Sequence, residues 1–294
     1  MSYYSIKDVE NLSGIKAHTL RIWEQRYDIL KPKRTDTNIR YYDDIDLKLI
    51  LNISVLNKHG HKISKIAQMT EEELRKELIL LSEKTHDASD KIQALTLCMM
   101  DLDEEKFEYL LSQSIRQVGF ENTMLKVIFP FLQKIGTLWL ANAVNPAQEH
   151  FMTHLIRQKI IAAIDVLKPN YTEGKKYMLF LPEGEWHEIS LLFANYLLRS
   201  RKQRTSYLGQ TLPLKDLEEV YHIYKPDFLF SVITSSPSFH YVQSYVHQLA
   251  ATFPNTQILL SGSQVVGQGL DLPENVTVLS KIEDLFEFIE ENNH

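Results

Sequence analysis

Five short apolar runs, each followed by an amphipathic stretch, constrain the fold of residues 175–294. In chain order the runs read KYMLFLP, RTSYLG, DFLFSVIT, TQILLSG and NVTVLS. Short continuous apolar runs of this kind are typical of strands that are buried on both faces of a parallel sheet. The alternation of such strands with helices predicts a Rossmann-like domain with a five-stranded parallel sheet over 175–294.

The loop after the first of these runs carries an acid and an imidazole. Ligands of doubly wound sheets bind beyond the carboxyl ends of the strands, and Glu185 and His187 follow the first strand within LPEGEWHEISLLF. His187-Glu188 also begins the H-E-x-x-H pattern of zinc proteases, but Leu191 stands where the second histidine ligand is required. The spacing excludes zinc proteolysis, so the pair must serve another chemistry.

Length and charge predict several domains and a polyanion-binding end. A chain of 294 residues is expected to form two or three domains. The first 68 residues hold 12 Lys and Arg against 8 Asp and Glu, whereas the rest of the chain holds 20 against 30. A basic module on an acidic body favours a nucleic-acid partner.

The sequence predicts a cytoplasmic protein outside the membrane. It has a single cysteine, Cys98, no signal-peptide pattern and no apolar run of about 18 residues.

Residues 1–75 predict a winged helix-turn-helix domain. Ser5 and Asp8 form a capping-box pattern at the start of a short helix that Gly14 ends. KAHTLRIWEQRY predicts the second helix, with Leu20 and Trp23 buried. IDLKLILNISVLNKHG and HKISKIAQM predict two further helices.

The basic, turn-rich segment KPKRTDTNIRYY predicts a two-stranded wing. Its turn would use Thr37 and Asn38, and Asn tolerates a left-handed backbone. Asp43 or Asp44 then caps the next helix. Base-reading side chains are expected near the start of the second helix, and wing cations are expected to meet phosphates.

SGIKAHTLRIWEQRYDILKPKRTDTNIRYYDDIDLKLI resembles the DNA-binding domain of MerR-family transcription regulators, for which LRIWEQRY and KPKRT…IRYY are specific. The expected DNA contacts are Lys16, His18, Thr19, Arg21, Lys33, Arg34, Arg40 and Tyr41.

A charged linker over 76–90 and a helical-bundle cap over 91–170 are predicted from apolar residues at three- and four-residue spacing. Trp139, Glu149 and His150 stand in the spacing W-x9-E-H. Alone they also fit a core aromatic and a helix N-terminus. The spacing resembles the cap of cobalamin-dependent photoreceptor repressors of the CarH/LitR type. That resemblance implies that Trp139 covers the upper face of the corrin and that Glu149 and His150 line the pocket of the upper ligand.

The C-terminal domain resembles the cobalamin-binding domain with the pattern D/E-x-H-x-x-G, S-x-L/T and G-G. The resemblance implies that His187 binds cobalt, that Glu185 orients it, and that Ser231 faces the displaced nucleotide tail. The matching residues are Glu185-Trp186-His187-Glu188-Ile189-Ser190, Ser231-Val232-Ile233 and Gly262-Ser263.

Two motif glycines are replaced by Ser190 and Ser263. An added side chain in a tight site costs about 1–3 kcal/mol, which corresponds to about ten- to a hundredfold weaker binding. A domain that has kept the fold and lost the ligand is the alternative. In the photoreceptor family a His that can take the upper cobalt position commonly follows the Trp. Leu140 stands there, which predicts a weak or altered response to light.

The resemblance implies a DNA-binding transcription regulator, most simply a repressor, and no enzyme activity. Cobalamin, as adenosylcobalamin, would bind between cap and Rossmann-like domain and control oligomerisation and DNA binding. The expected partners are a double-stranded DNA operator, further copies of the chain in a dimer or tetramer, and a protein antagonist or RNA polymerase. Two alternatives stay open: a cobalamin-free regulator whose C-terminal half docks a protein antagonist, and a corrinoid methyltransferase module.

Overall fold

The computed structural model describes residues 4–35, 38–70, 72–74, 77, 88–140, 144–168, 172–235 and 239–292. It divides the chain into two compact units, Met1–Leu155 and Ile156–His294. The first unit contains the winged helix-turn-helix domain and most of the helical segment. The second contains the parallel sheet.

The N-terminal domain has the expected winged helix-turn-helix architecture, with one extra strand. The short strand β1 joins the predicted wing, so the antiparallel sheet has three strands in the order β1-β3-β2. A two-residue strand leaves no periodic pattern in the sequence, which is why it was missed. The elements are β1 (Tyr4–Ser5), α1 (Ile6–Ser13), α2 (Ala17–Tyr27), β2 (Lys33–Arg34), β3 (Arg40–Tyr42), α3 (Asp44–Lys58) and α4 (Ile63–Ile66).

Local capping fixes the helices of this domain as the sequence predicts. Ser5 and Asp8 form the predicted capping box of α1, and Gly14 ends that helix with φ 73°. Asp43, rather than Asp44, caps α3 and forms a second capping box with Asp46. The predicted burial of Leu20 and Trp23 is confirmed.

The helical segment that follows contains α5 (Ala88–Asp101), α6 (Glu104–Val118), α7 (Phe120–Thr123), a π-helical stretch (Met124–Ile128), α8 (Phe129–Leu140) and α9 (Pro146–Val166). Its buried residues include Leu95, Met99, Phe107, Leu111, Ile128, Phe131 and Ile135.

Helix α5 contacts the N-terminal domain. Buried Asp90 pairs with Lys58 at 3.1 Å and with His59 at 2.7 Å, and the side chain of Gln93 donates to the carbonyl of Leu51 at 2.8 Å. Most of the predicted linker over 76–90 lies outside the described residues, and its last three residues begin α5.

The second unit confirms the predicted five-stranded parallel sheet. Its strands are β4 (Lys176–Pro182), β5 (Arg204–Leu212), β6 (Phe228–Val232), β7 (Gln257–Ser261) and β8 (Val276–Val278). The helices between and after them are α10 (Ile189–Ser200), α11 (Leu214–Tyr224), α12 (Phe239–Thr252) and α13 (Asp284–Glu291).

The strand order β5-β4-β6-β7-β8 reverses direction at β4. The chain leaves β4 to one side for β5 and returns to the other side for β6. In doubly wound sheets this switch point opens a crevice at the carboxyl ends of the two strands, so the loops after β4 and β6 are where a ligand is expected. Within the described part of the chain, no helix has both the length and the apolar character required to cross a membrane.

Candidate functional site

Helix α2 carries the first group of predicted DNA contacts. Lys16 is its N-cap residue but makes no side-chain capping bond. Glu10 of α1 supplies the cap instead, because its carboxylate accepts from the backbone N–H of Ala17 at 2.9 Å and pairs with Lys16 Nζ at 2.9 Å. The hydrogen bond from Lys16 is the main reason that the pKa of Glu10 is lowered. The exposed or half-buried contacts that complete the predicted set here and on β3 are His18, Thr19, Arg21 and Tyr41.

Each predicted wing cation has a carboxylate partner within the domain. Lys33 pairs with Asp43, the N-cap residue of α3. Glu24 of α2 accepts from Arg40 Nε at 2.9 Å, and its other oxygen lies 3.7 Å from Arg34 Nη2. One carboxylate therefore ties both wing strands to α2. A DNA phosphate would have to share these cations with Glu24 and Asp43, which the sequence pattern did not indicate.

Glu185 and His187 form a hydrogen-bonded pair at the switch point of the sheet. Glu185 Oε1 accepts from His187 Nδ1 at 2.6 Å and from the backbone N–H of His187 at 3.0 Å. Its Oε2 accepts from the backbone N–H groups of Thr234 and Ser235, both at 2.7 Å, and from the Thr234 hydroxyl at 3.0 Å. The loops after β4 and β6 thus meet at this carboxylate.

Glu185 is held as a carboxylate although its side chain is only 2 % exposed. Burial by itself would raise its pKa, but the hydrogen bonds from His187, Ser235 and Thr234 outweigh burial and hold the pKa at about 2. A carboxylate facing Nδ1 keeps the imidazole proton there and leaves a lone pair on Nε2. The His187 side chain is 60 % exposed. The pair therefore presents an imidazole of the kind that binds a metal.

A second buried carboxylate fixes the helix that follows His187. Glu188, the N-cap residue of α10, pairs with Arg157 and accepts from the Tyr207 hydroxyl at 2.9 Å. Burial and Glu188 both raise the pKa of Tyr207, which therefore stays a donor. These contacts hold the start of α10 beside His187. The sequence showed Glu188 only as part of an incomplete protease pattern, and nothing local indicated its partners.

Ser231 and Gly262 have internal partners that the motif does not reveal. Ser231 is fully buried, and its hydroxyl donates to the Phe180 carbonyl of β4 at 2.8 Å. Its predicted contact with a nucleotide tail stays a prediction. Gly262 has φ 106°, and a Cβ there would lie 2.3 Å from the Ile233 carbonyl oxygen. Glycine is required at 262 because the backbone there lies against Ile233, just after β6. This requirement holds whether or not Gly262 also contacts a ligand.

The two serines that replace motif glycines lie at the same end of the sheet. Ser190 is half-buried in the first turn of α10. Ser263 is exposed, and its hydroxyl donates to the Thr234 carbonyl at 3.2 Å. Ser263 thus contacts the residue that also holds Glu185.

The predicted upper-pocket residues lie in the first unit. Trp139 is near the end of α8, and its side chain is outside the described part of the chain. Glu149 is in the first turn of α9, where a carboxylate is favourable, and exposed His150 follows it. The ring of His150 lies 6.4 Å from that of His154, one turn along the helix. Their proposed approach to a corrin remains a prediction.

A cavity of about 360 Å³ lies beside Glu185 in the second unit. Its wall combines the loop after β4, the loop after β6 and the start of α12. The lining residues are Pro182, Glu183, Gly184, Glu185, Ile233, Ser235, Tyr241, Val242 and Tyr245.

Comparison with known families assigns two segments of the chain. Residues 4–73 match the model described as MerR HTH family regulatory protein, and residues 91–164 match the model described as B12 binding domain. The chain therefore joins a segment that matches the MerR HTH family to a segment that matches a B12 binding domain. The MerR match contains α1 to α4 and the wing. The B12-binding match contains most of α5, all of α6 to α8 and most of α9.

Two transcriptional repressors are similar to this chain over most of its length. The HTH-type transcriptional repressor CarH of Myxococcus xanthus is 25 % identical over 233 residues, which cover 77 % of each chain. The repressor CarA of the same organism is 24 % identical and covers 76 % of this chain and 73 % of its own. A solved structure, the monomethylamine corrinoid protein of Methanosarcina barkeri, covers 66 % of this chain and 94 % of its own at 13 % identity and TM-score 0.55, which supports the fold.

Proposed function

We propose that this protein is a DNA-binding transcription repressor whose DNA binding and oligomeric state are controlled by cobalamin. The MerR match over residues 4–73 and the B12-binding match over residues 91–164 support the two activities. The similarity to the repressors CarH and CarA, over 77 % and 76 % of this chain, supports their combination in one regulator. The protein would bind operator DNA in the cytoplasm and regulate transcription, and it would not catalyse a reaction.

The Glu185–His187 pair is the observation that carries the cobalamin proposal. Cobalamin would supply a cobalt centre that an imidazole nitrogen can bind. His187 would be that ligand through Nε2, because Glu185 holds the proton on Nδ1 at 2.6 Å. Glu185 in turn stays ionised through the hydrogen bonds from His187 and from the backbone of the β6 loop. Ser190, Ser231, Gly262 and Ser263 would border the tail, and Ser190 and Ser263 would reduce affinity without removing it.

The finer assignments follow the family resemblance. Trp139, Glu149 and His150 would line the upper side of the corrin, with adenosylcobalamin as the bound form. Binding shifts an assembly equilibrium only through different affinities for the two assemblies, so the ligand must favour either a dimer or a tetramer. That assembly would place several winged helices on one operator. A protein antagonist or RNA polymerase would then compete with the assembly or contact it. Leu140 lacks a lone pair, so a weak or altered light response belongs to the same proposal.

The test is a titration with adenosylcobalamin in the dark, followed by visible absorption. We expect a spectral change in the wild type that His187→Ala abolishes, with loss of most of the affinity. His247→Ala is a matched control, because His247 is 48 % exposed and also lies near an acidic residue, with Nε2 3.6 Å from Asp271 Oδ2. That control should bind like the wild type.

The result also separates the alternatives. If the wild type gives neither a spectral change nor calorimetric heat at high micromolar cobalamin, the cobalamin-free regulator that docks a protein antagonist replaces this proposal. Methyl transfer from a bound methylcorrinoid to an added thiol or amine acceptor would instead support the methyltransferase module.

A further inference from the structure

The end of strand β5 has an irregular backbone beside the loop that carries Glu185. Phe180 pairs with Gly209 and Pro182 pairs with Leu212, so β5 has one residue more than β4 over this stretch. Such a β-bulge bends its strand and redirects the side chains next to it. The bulge therefore changes which groups of β5 face the loop after β4.

Thr211, within this bulge, has a backbone conformation that its side chain disfavours. Its φ is 49°, and a β-branched residue at positive φ is a rare outlier. Residues held in such conformations persist only where the surrounding structure compensates for the strain, and they concentrate at functional sites. Thr211 therefore needs contacts that keep it in place.

Thr211 makes two hydrogen bonds to the loop after β4. Its hydroxyl accepts from the backbone N–H of Gly184 at 2.9 Å, and its own backbone N–H donates to the Glu185 carbonyl at 3.2 Å. The side chain of Gln210 donates to the carbonyl of Trp186. Three consecutive residues of the loop, with Glu185 in the middle, are thus bonded to the end of β5.

Glu185 is consequently held from two sides. Its backbone is bonded to β5, whereas its carboxylate accepts from the backbone N–H groups of Thr234 and Ser235 and from His187 Nδ1. The carboxylate sets which imidazole nitrogen carries the proton, and its direction depends on where the backbone of Glu185 stands. Since the bonds of Thr211 go to the backbone of the loop, Thr211 acts on His187 through the position of Glu185.

We propose that Thr211 is a positioning residue for His187: its hydroxyl holds the loop after β4 so that Glu185 keeps the imidazole proton on Nδ1 and leaves Nε2 free for a metal. This deepens the cobalamin binding proposed above and rests on it. The positioning group lies on β5, a strand that carries none of the predicted cobalamin contacts. Thr211 keeps its unfavourable φ because this conformation offers its hydroxyl and its N–H to the loop together.

Three substitutions separate the hydroxyl of Thr211 from its backbone. Thr211→Val keeps the β-branched shape and removes the acceptor, Thr211→Gly removes both the acceptor and the strain, and Thr211→Ser keeps the acceptor.

The first readout is the tautomer of His187 in the full chain without cobalamin. Nitrogen NMR of a chain labelled at its histidine nitrogens measures it at about pH 9, well above the ordinary pKa of histidine. We expect mainly the Nδ1–H form in the wild type and in Thr211→Ser. The ratio of Nε2–H to Nδ1–H forms should rise roughly three- to tenfold in Thr211→Val and Thr211→Gly, the range of one net hydrogen bond. His187→Ala identifies the signal.

The second readout is an absorption titration with adenosylcobalamin in the dark. Thr211→Val and Thr211→Gly should bind roughly three- to tenfold more weakly than the wild type, and Thr211→Ser within about twofold of it. Thr205→Val is the matched control near the other end of β5, where the Thr205 hydroxyl accepts from Arg199 Nε at 2.9 Å and donates to Asn195 at 2.8 Å. It should lower stability toward urea and change neither readout.

A wild-type tautomer ratio in Thr211→Val or in Thr211→Gly would overturn the role of the hydroxyl. So would a loss of cobalamin affinity in Thr205→Val as large as that in Thr211→Val, because the effect would then be one of stability alone. The proposed function is judged separately. It fails if the wild type shows no His187-dependent spectral change with cobalamin, whereas the tautomer ratio, measured without cobalamin, still tests Thr211.

Discussion

Glu185 joins two loops through hydrogen bonds that depend on its negative charge. Its pKa of about 2 lies below the ordinary value of 4.5, so the folded state binds this proton less readily than the unfolded chain does. The resulting stability is fully present above about pH 4.5 and is lost as the pH falls toward about 2. Stability of the second unit and orientation of His187 thus rest on the same carboxylate.

Replacing Glu185 by Gln should destabilise the second unit by on the order of 3 kcal/mol at neutral pH, because the amide brings no charge to the donors around it. The difference between variant and wild type should shrink as the pH falls from 4.5 to 3. Urea unfolding at several pH values, followed by fluorescence, measures it. A difference that is independent of pH would show that the charge of Glu185 contributes nothing.

Ser190 is placed where a motif glycine is expected, in the first turn of α10. We expect Ser190→Gly to tighten cobalamin binding up to about tenfold by relieving crowding, and to lower unliganded stability by about 0.5–1 kcal/mol through backbone entropy. Ser200→Gly, at the other end of the same helix, should reproduce only the loss of stability. Unchanged or weaker affinity in Ser190→Gly would show that the serine does not crowd the ligand.

Leu140 decides the expected response to light, because it offers no lone pair to a metal. After illumination of the adenosylcobalamin complex, we expect no bis-imidazole absorption spectrum from the wild type and a bis-imidazole spectrum from Leu140→His. Leu138→His, two positions earlier on α8, is the control for adding an imidazole near this site. A bis-imidazole spectrum from the unmodified protein would contradict the prediction and direct attention to His150.

At the scale of elements, the wing and α2 behave as one unit because Glu24 binds Arg40 and faces Arg34. The arginines are thereby pre-positioned, but their charge is partly neutralised before DNA arrives. Glu24 therefore orders the wing, but it also reduces the positive charge that is available to bind DNA.

Glu24→Gln should raise affinity for operator and nonspecific DNA alike, and should steepen the dependence of log K on log salt, because more cationic charge reaches the phosphates. Arg34→Ala should act in the opposite direction and reduce the slope by about one unit if it neutralises one phosphate. Fluorescence anisotropy at several salt concentrations measures both. Weaker binding by Glu24→Gln would show that order in the wing matters more than free charge.

At the scale of the whole molecule, a basic N-terminal module precedes a chain that is acidic elsewhere. The first 68 residues carry a net charge of +4 and the remainder −10, a distribution that favours binding of DNA at one end only. The proposed function would require ligand binding in the second unit to change how the winged helices of several copies are arranged.

We therefore expect dark addition of adenosylcobalamin to change the elution volume of the full chain and its operator affinity over the same concentration range. His187→Ala should abolish both changes together, since a ligand shifts assembly only through its differential affinity. Gel filtration with light scattering and DNA titration provide the two readouts. A change in operator affinity without a change in assembly would contradict control by oligomerisation.

The sequence by itself determined the features that depend on neighbours along the chain. Apolar periodicity predicted the five parallel strands, and Ser5 predicted the start of α1. For α3 the sequence left Asp43 and Asp44 as alternatives, and Asp43 is the cap. Asn38 takes the expected left-handed conformation with φ 64°. The two-residue spacing of Glu185 and His187 likewise brought acid and imidazole together, because a tight loop leaves them within reach of each other.

Only the tertiary structure decided which distant groups act on these residues. Besides His187, the donors that keep Glu185 ionised come from positions 49 and 50 residues later. The Glu24 carboxylate meets Arg40, 16 residues on. Tyr245 of α12 lines the same cavity as the loops after β4 and β6 only through the tertiary arrangement of the sheet and its helices. No local sequence pattern predicts such contacts, because they depend on the order of strands in the sheet and on the packing of helices against it.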